Sequence, residues 1–296
     1  MRIIACECVV ISVSTSTTMS RFTKLFDKAI AAATTTRRCQ VIGMLHVEAL
    51  PGTPLYAGKF QRIIDKVRKE TEIYLTAGID SILVENMHDI PYIQANNLGA
   101  EIIAAMTRVC HEVQLLTNCT IPLGLQILAG GNKEALAVAK CTNFDYIRAE
   151  GFVFGHVADE GYTDACAGDL LRYRKQIDAD NVLIFTDIKK KHSSHSVTSD
   201  VSLVETAHAA EFFLTDGVIL TGTATGRPAS PKELKDLKVN CNVPVLIGSG
   251  ITLENFEQYR EADACIIGSY FKEDGKWQNH LDSKRLKQFL KVVKEI

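Results

Sequence analysis

Apolar residues fall along this chain in two alternating patterns. From Val41 onward, near-continuous apolar runs, rich in β-branched residues, are separated by stretches in which apolar positions recur three and four residues apart. The runs are "VIGMLHV" (41–47), "SILVEN" (81–86), "PLGLQIL" (122–128), "YIRAEG" (146–151), "VLIFTD" (182–187), "DGVILTG" (216–222), "VPVLIGS" (243–249) and "ACIIGSY" (264–270). Short runs without polar alternation predict strands buried on both faces, which is the signature of a parallel sheet covered by helices.

The stretches between them read as those helices. "KFQRIIDKVRKETEIYLTAG" carries Ile63, Val67 and Leu75 on one face and meets Gly78 as a stop. "SDVSLVETAHAAEFFLTDG" offers Ser199 or Asp200 as an N-cap and ends at Gly217. "LDSKRLKQFLKVVKEI" closes the chain behind Asp282 or Ser283, and "ITLENF" after the seventh run reads as one more helix start. The apolar segment "EIIAAMTRVC" (101–110) suits either the core or a self-association surface, so a homo-oligomer stays open. Eight strand–helix units predict an α/β protein with a (β/α)8 TIM barrel over residues 39–296. A doubly wound open sheet is the alternative, but it rarely repeats so evenly.

The first 38 residues differ in kind. They hold Arg2, Arg21, Lys24, Lys28, Arg37 and Arg38 against Glu7 and Asp27, with dense Ser and Thr. Within them Phe22, Leu25, Phe26, Ala29 and Ile30 fall on one helical face. An Arg- and Ser-rich, acid-poor amphipathic start predicts a mitochondrial transit peptide and a matrix protein. The alternative is a disordered extension, with Met19 as the start of a cytoplasmic chain. Net charge is −2, which recruits no nucleic acid, and the apolar runs are far too short to span a bilayer. The nine cysteines form no CxxC pair, so they read as reduced thiols and not as a zinc site.

Barrels of this kind carry their chemistry at the carboxyl ends of the strands. Those ends here supply His46 and Glu48, Glu85 and Asn86, Gln126, Arg148 and Glu150, Asp187, Thr221, Ser249 and Ser269. Glu85, Glu150 and Asp187 are candidate acid–base carboxylates, with His46 and Arg148 to polarise a substrate. Side-chain alternation puts Arg148 and Glu150 on one face, so both point toward the barrel axis unless Arg148 only forms a structural ion pair. Gln126 and Thr221 are further pocket candidates. In the loop "TDIKKKHSSHS", Lys189 and His192 are pocket candidates; His192 suits an acid–base group and a desolvated lysine of the loop a nucleophile, and the sequence does not choose between them. The long loop "GFVFGHVADEGYTDACAG" reads as a lid.

"IGSG" ends the seventh run and "IGSY" the eighth. One Gly-Ser-Gly is equally a tight turn or an anion site. Two glycine-serine turns on neighbouring strands point to a phosphate held by backbone N–H groups, at Gly248, Ser249, Gly250, Gly268 and Ser269. Cofactors stay unassigned: clustered carboxylates leave a divalent ion open, but no HxH or HExxH spacing supports a metal ligand set.

Longer motifs carry a resemblance. "GMLHVEALPGTP" (43–54), "GIDSILVEN" (78–86), "FDYIRAE" (144–150), "DEGYTDACAGDLLRYRK" (159–175), "FTDIKKKH" (185–192), "DGVILTGTATGRP" (216–228), "PVLIGSGITLEN" (244–255) and "CIIGSYFKEDG" (265–275) resemble the BtpA/SgcQ family over 41–295. The resemblance implies a ribulose-phosphate-binding barrel. One cyanobacterial member of that family is implicated in photosystem I biogenesis, and the others are mostly predicted enzymes without an assigned reaction. "LQILAGGN" departs from bacterial members, which puts ligand contacts after the third strand in doubt. Two readings follow: an enzyme of isomerase, lyase or hydrolase type acting on a small phosphorylated metabolite, or a non-catalytic assembly factor that keeps the anion site. Nucleic-acid binding through "KKKH" fits neither the charge nor the missing aromatic–basic stripe.

Overall fold

The computed structural model describes residues 15–30, 39–222 and 224–295. In chain order its strands are β1 (Gln40–His46), β2 (Ser81–Glu85), β3 (Leu123–Gln126), β4 (Tyr146–Ala149), β5 (His156–Ala158), β6 (Gly161–Thr163), β7 (Leu183–Ile188), β8 (Ser193–Ser194), β9 (Gly217–Leu220), β10 (Val245–Ile247) and β11 (Ala264–Ile267). Eight of them close a barrel in the order β1-β2-β3-β4-β7-β9-β10-β11, every pair parallel. These eight fall on the eight apolar runs of the sequence, with ends shifted or trimmed by one to three residues. The barrel closes where Gln40 to Gly43 of β1 pair with Ala264 to Ile267 of β11.

Helices α1 (Thr15–Ile30), α2 (Phe60–Ala77), α3 (Ala100–Thr117), α4 (Asn132–Cys141), α5 (Ala167–Gln176), α6 (Leu203–Phe212), α7 (Pro231–Asn240) and α8 (Ser283–Glu295) complete the layer architecture, α2 to α8 as the outer ring. Gly78 ends α2 in the left-handed region at φ 73°, where glycine escapes the Cβ penalty. Ile102, Met106, Val109 and Val113 of α3 are buried in the main core, so that apolar face packs within the subunit.

Two helix expectations need correction. α6 is capped by Ser202, whose hydroxyl accepts from the Glu205 N–H while the Glu205 carboxylate accepts from the Ser202 N–H. That reciprocal capping box outcompetes Ser199 and Asp200, which have no such partner three residues on. The helix also stops at Phe212, short of Gly217. After β10, "ITLENF" forms no α-helix and only a 3-10 turn follows at Phe256–Tyr259. Asn255 explains this: its side chain accepts from the Thr252 N–H and donates to the Gly250 carbonyl, tying up groups a helix would use.

Four aspartates pin the strands in pairs. Asp80, Asp145, Asp216 and Asp263 precede β2, β4, β9 and β11, and each carboxylate accepts from an N–H in the preceding barrel strand: Val41, Leu123, Ile184 and Val245. The device recurs at every second strand and fixes neighbouring strand starts at the amino end.

Inside the barrel, Ile42, Met44, Leu83, Tyr146, Phe185, Ile219, Leu246 and Ile266 fill the lumen. Gly124 makes room for one of them, since a Cβ there would lie 2.2 Å from the Tyr146 ring. The amino end of this lumen is stoppered. Residues 15–30, expected in an extension outside the barrel, form α1, and its Phe22, Leu25 and Phe26 join the lumen cluster. Phe22 meets Phe185 edge-on at 5.9 Å, and Arg21 pairs with Asp216 at 2.5 Å and donates to the Asp180 carbonyl at 2.6 Å. Both Arg21 partners lie just before barrel strands, which places α1 across the floor. Residues 1–14 and 31–38 lie outside the described residues. No helix of the described residues is long and apolar enough to cross a membrane.

Candidate active site

With the floor filled, the barrel opens at the carboxyl ends of its strands. A cavity of about 330 Å³ lies there, lined by residues that include Met44, His46, Glu85, Arg148, Lys191, Gly248 to Thr252, Gly268 to Tyr270 and Arg285. That volume is at the small end for ligand pockets and suits a small metabolite.

Its inner wall is ionisable. Arg148 on β4 grips Asp187 on β7 through Nε and one terminal nitrogen, each 2.9 Å from a carboxylate oxygen. The pair is planar and bidentate, and both side chains are almost fully buried. Burial opposes the guanidinium charge, but the Asp187 carboxylate outweighs it and holds the Arg148 pKa above its ordinary value. Asp187, expected as an acid–base carboxylate, is therefore held by Arg148.

Glu85 and His46 are different. The Glu85 carboxyl sits 3.7 Å from His46 Nε2, a separation that would suit an ion pair. Burial, however, pushes Glu85 up, against the pull of Arg148 and Lys191. Burial and the Lys272 charge push His46 well down. Both groups thus lean toward neutrality. His46 Nδ1 lies 3.2 Å from the Trp277 carbonyl, so a neutral imidazole donates there and turns a bare Nε2 toward Glu85. A carboxyl whose pKa is raised beside an imidazole whose pKa is lowered is a candidate proton donor–acceptor set facing the cavity.

The outer wall is backbone. The Gly248 N–H is bound to the Leu220 carbonyl at 2.8 Å, but the N–H groups of Ser249, Gly250 and Ile251 have no acceptor among the described residues. Gly250 has φ 72°, and a Cβ there would lie 2.2 Å from the Pro228 nitrogen, so glycine is required by the turn itself. Gly268 abuts His46, where a Cβ would come within 3.1 Å of the ring. Ser249 does not offer its hydroxyl proton to a ligand: it donates to the Arg227 carbonyl at 3.0 Å and accepts from the Gly222 N–H at 2.8 Å. Arg285, from the first turn of α8, lies over the Tyr270 ring at 5.2 Å and brings a cation to the same wall.

Several sequence candidates sit elsewhere. Glu150 accepts from Lys190 at 3.1 Å and from the Gly130 N–H at 2.9 Å; burial raises its pKa, but Lys190 and that N–H prevail and hold it below the ordinary carboxylate value. Lys189 turns away and donates to the Thr198 carbonyl at 3.2 Å. His192 Nε2 accepts from the Thr225 N–H at 3.1 Å, tying its loop to the cavity-lining Thr225 without lining the cavity itself. Thr221 accepts from the Lys191 N–H at 3.2 Å and so supports that loop from below. Gln126 is buried with its side-chain carbonyl unpartnered and does not line the cavity. Glu48 pairs with Arg62 and Lys66, away from the mouth. The supposed lid loop after β4 is instead an ordered hairpin, β5 and β6, extended by β8 into a three-stranded antiparallel sheet that flanks the cavity without lining it. Lys191 and Arg285 are the lining cations the sequence reading passed over. Among the described residues no group of three or more His, Cys, Asp or Glu is placed to hold a metal ion.

A profile of the BtpA family matches residues 37–295. The chain belongs to the BtpA family. A mitochondrial protein of Caenorhabditis elegans, uncharacterized, is 50% identical over 256 residues, covering 86% of this chain and 92% of that one. The photosystem I biogenesis protein BtpA of Synechocystis is 31% identical over 260 residues, covering 86% and 88%. Among solved structures, orotidine 5′-phosphate decarboxylase from Pyrococcus horikoshii superposes with a TM-score of 0.51 at 12% identity, covering 86% of this chain and all of that one. At that identity the likeness speaks to the TIM-barrel fold alone. Within the BtpA family, then, this chain is a closed (β/α)8 barrel with one polar mouth.

Proposed function

We propose that this BtpA-family barrel is an enzyme of isomerase, lyase or hydrolase type acting on a small phosphorylated metabolite. One observation carries the reading: three backbone N–H groups without acceptors among the described residues and the Arg285 guanidinium share a small cavity with the Glu85–His46 donor–acceptor set. Bare N–H groups and a guanidinium suit a phosphate, and a carboxyl and an imidazole that both lean toward neutrality suit proton transfer to the rest of the molecule. The anion would rest on Ser249, Gly250, Ile251, Gly268, Ser269 and Arg285, with no α-helix between β10 and β11 to add a dipole. That phosphate-named neighbours share the fold supports the reading as analogy only.

Calorimetric titration with inorganic phosphate tests it. Binding is expected in the full chain, and Arg285→Ala should weaken it about tenfold, the loss of roughly one charge-assisted hydrogen bond. Absence of binding by the unaltered protein would remove the basis for the proposal. The name of the Synechocystis relative favours a second reading, a non-catalytic assembly factor. Glu85→Gln separates the two, since only an enzyme loses its biological activity when that proton donor is removed and phosphate binding is kept. The C. elegans relative and the basic amphipathic α1 support a mitochondrial location.

A further inference from the structure

Three consecutive lysines leave β7, and the structure gives them three different fates. Lys189 donates to a backbone carbonyl, and Lys190 is clamped between Glu150 at 3.1 Å and Glu160 at 3.2 Å. Lys191 lines the mouth cavity, and its amine has no hydrogen-bond or ion-pair partner among the described residues. The contrast with Lys272 is instructive: that buried amine is matched to Glu70 at 2.8 Å. Lys191 instead stands in the field of Arg148 on one side and of Glu85, Asp187 and Glu150 on the other. Asp187 and Glu150 already have partners of their own, and Glu85 leans toward its neutral form.

We propose that Lys191 is the amine nucleophile of this pocket, condensing with the carbonyl of a phosphorylated aldehyde or ketone to form an imine. The proposal rests on the phosphate reading above, and it narrows the substrate class. Burial and the adjacent guanidinium push the Lys191 pKa below the ordinary lysine value, which enlarges the fraction of free amine. The step balances with groups already in the cavity. The Nζ lone pair adds to the carbonyl carbon, and the carbonyl π pair moves to oxygen, which takes the Glu85 proton. The nitrogen then returns a proton to Glu85. Reprotonation of the hydroxyl by Glu85 releases water as the nitrogen lone pair closes the C=N bond. One water leaves, one proton stays on the iminium, and nothing is oxidised or reduced. The iminium is an electron sink for breaking a C–H or C–C bond beside it, which suits the isomerase and lyase branches and not simple hydrolysis.

Pyridoxal 5′-phosphate, an aldehyde that carries a phosphate, is the first probe for the full-length protein, and dihydroxyacetone phosphate the second. Each adduct is fixed by borohydride and mapped by peptide mass. The expected result is one adduct, at Lys191, forming at least about ten times faster at pH 7 than on surface lysines, whose free-amine fraction at that pH is below about 0.1%. Inorganic phosphate should slow it, and Lys191→Arg should abolish it while phosphate binding and melting temperature stay close to the unaltered protein's. Phosphate binding without a Lys191 adduct from either probe overturns the imine and leaves the phosphate reading intact. A Lys191 adduct in a protein that neither binds phosphate nor is protected by it upholds the imine and overturns the phosphate reading. Labelling at equal rates over many lysines, unchanged in Lys191→Arg, overturns the imine.

Discussion

The Arg148–Asp187 pair sets the electrostatics of the mouth, and Asp187→Asn is the sharpest way to probe it. The two hydrogen bonds are 2.9 Å each, and relative side-chain exposure is 6% for Arg148 and 2% for Asp187. Removing the carboxylate charge leaves a buried guanidinium with one neutral acceptor. Breaking a pair of this kind costs about 3–5 kcal/mol. Two features favour the lower end: asparagine keeps one acceptor oxygen, and Glu85 already faces Arg148. Glu85 is expected to ionise more readily in the variant, because Asp187 repels its charge in the unaltered protein. About 3 kcal/mol at a urea slope near ~3 kcal/mol/M is a midpoint shift of about 1 M. The assay is urea unfolding at pH 7, run beside Arg148→Met and the double variant Arg148→Met/Asp187→Leu. The double variant should recover most of the loss, since two apolar groups need no pairing. A single-variant loss below about 1 kcal/mol, or a double variant worse than either single, would refute the account of the pair as a buried structural clamp.

Two further expectations follow from burial. Glu85 has its folded-state pKa raised, so its contribution to stability is full below the unfolded value and is lost as pH rises through the folded one. Glu85→Gln is therefore expected to be more stable than the unaltered protein at pH 7 and indistinguishable near pH 3; equal melting temperatures across that range would contradict the raised pKa. Phe26→Ala removes a 1%-exposed ring that packs against Phe22 with centroids 4.9 Å apart, and should cost about 3 kcal/mol, or several degrees in melting temperature. A loss under about 0.5 kcal/mol would mean that α1 does not hold the floor in solution.

The barrel was legible because burial on both faces leaves a near-continuous apolar run, and eight such runs admit few other closures. The site was legible only up to the strand ends. Alternation ranks side chains while the backbone stays extended: Glu85 and Arg148 line the cavity, and Asp187 is paired with Arg148. Past Ile188 it fails, because Lys189 and His192 have φ of 46° and 56°, and each left-handed residue redirects the chain. That is why Lys191 and not Lys189 reaches the cavity. The Arg148–Asp187 pairing was within reach of the sequence: β4 and β7 are neighbours, Phe185 is registered with Arg148, and Asp187 lies two residues on, on the same face. Arg285 was not, since an arginine in a C-terminal helix carries no local sign that its first turn borders the mouth. The role of α1 was hidden for another reason: an amphipathic face made for a targeting receptor and one made for a barrel floor obey the same periodicity.

That ambiguity has a consequence for how the chain can be handled. Phe22, Leu25 and Phe26 present a single apolar stripe, which cannot lie in the lumen and on a second binder at once, so any other partner of this stripe has to act before the barrel floor closes. Proteolysis meets a constraint of its own. A cut beyond Ile30 would pull the stopper and leave Phe185 facing water, whereas a cut ahead of Thr15 would spare it.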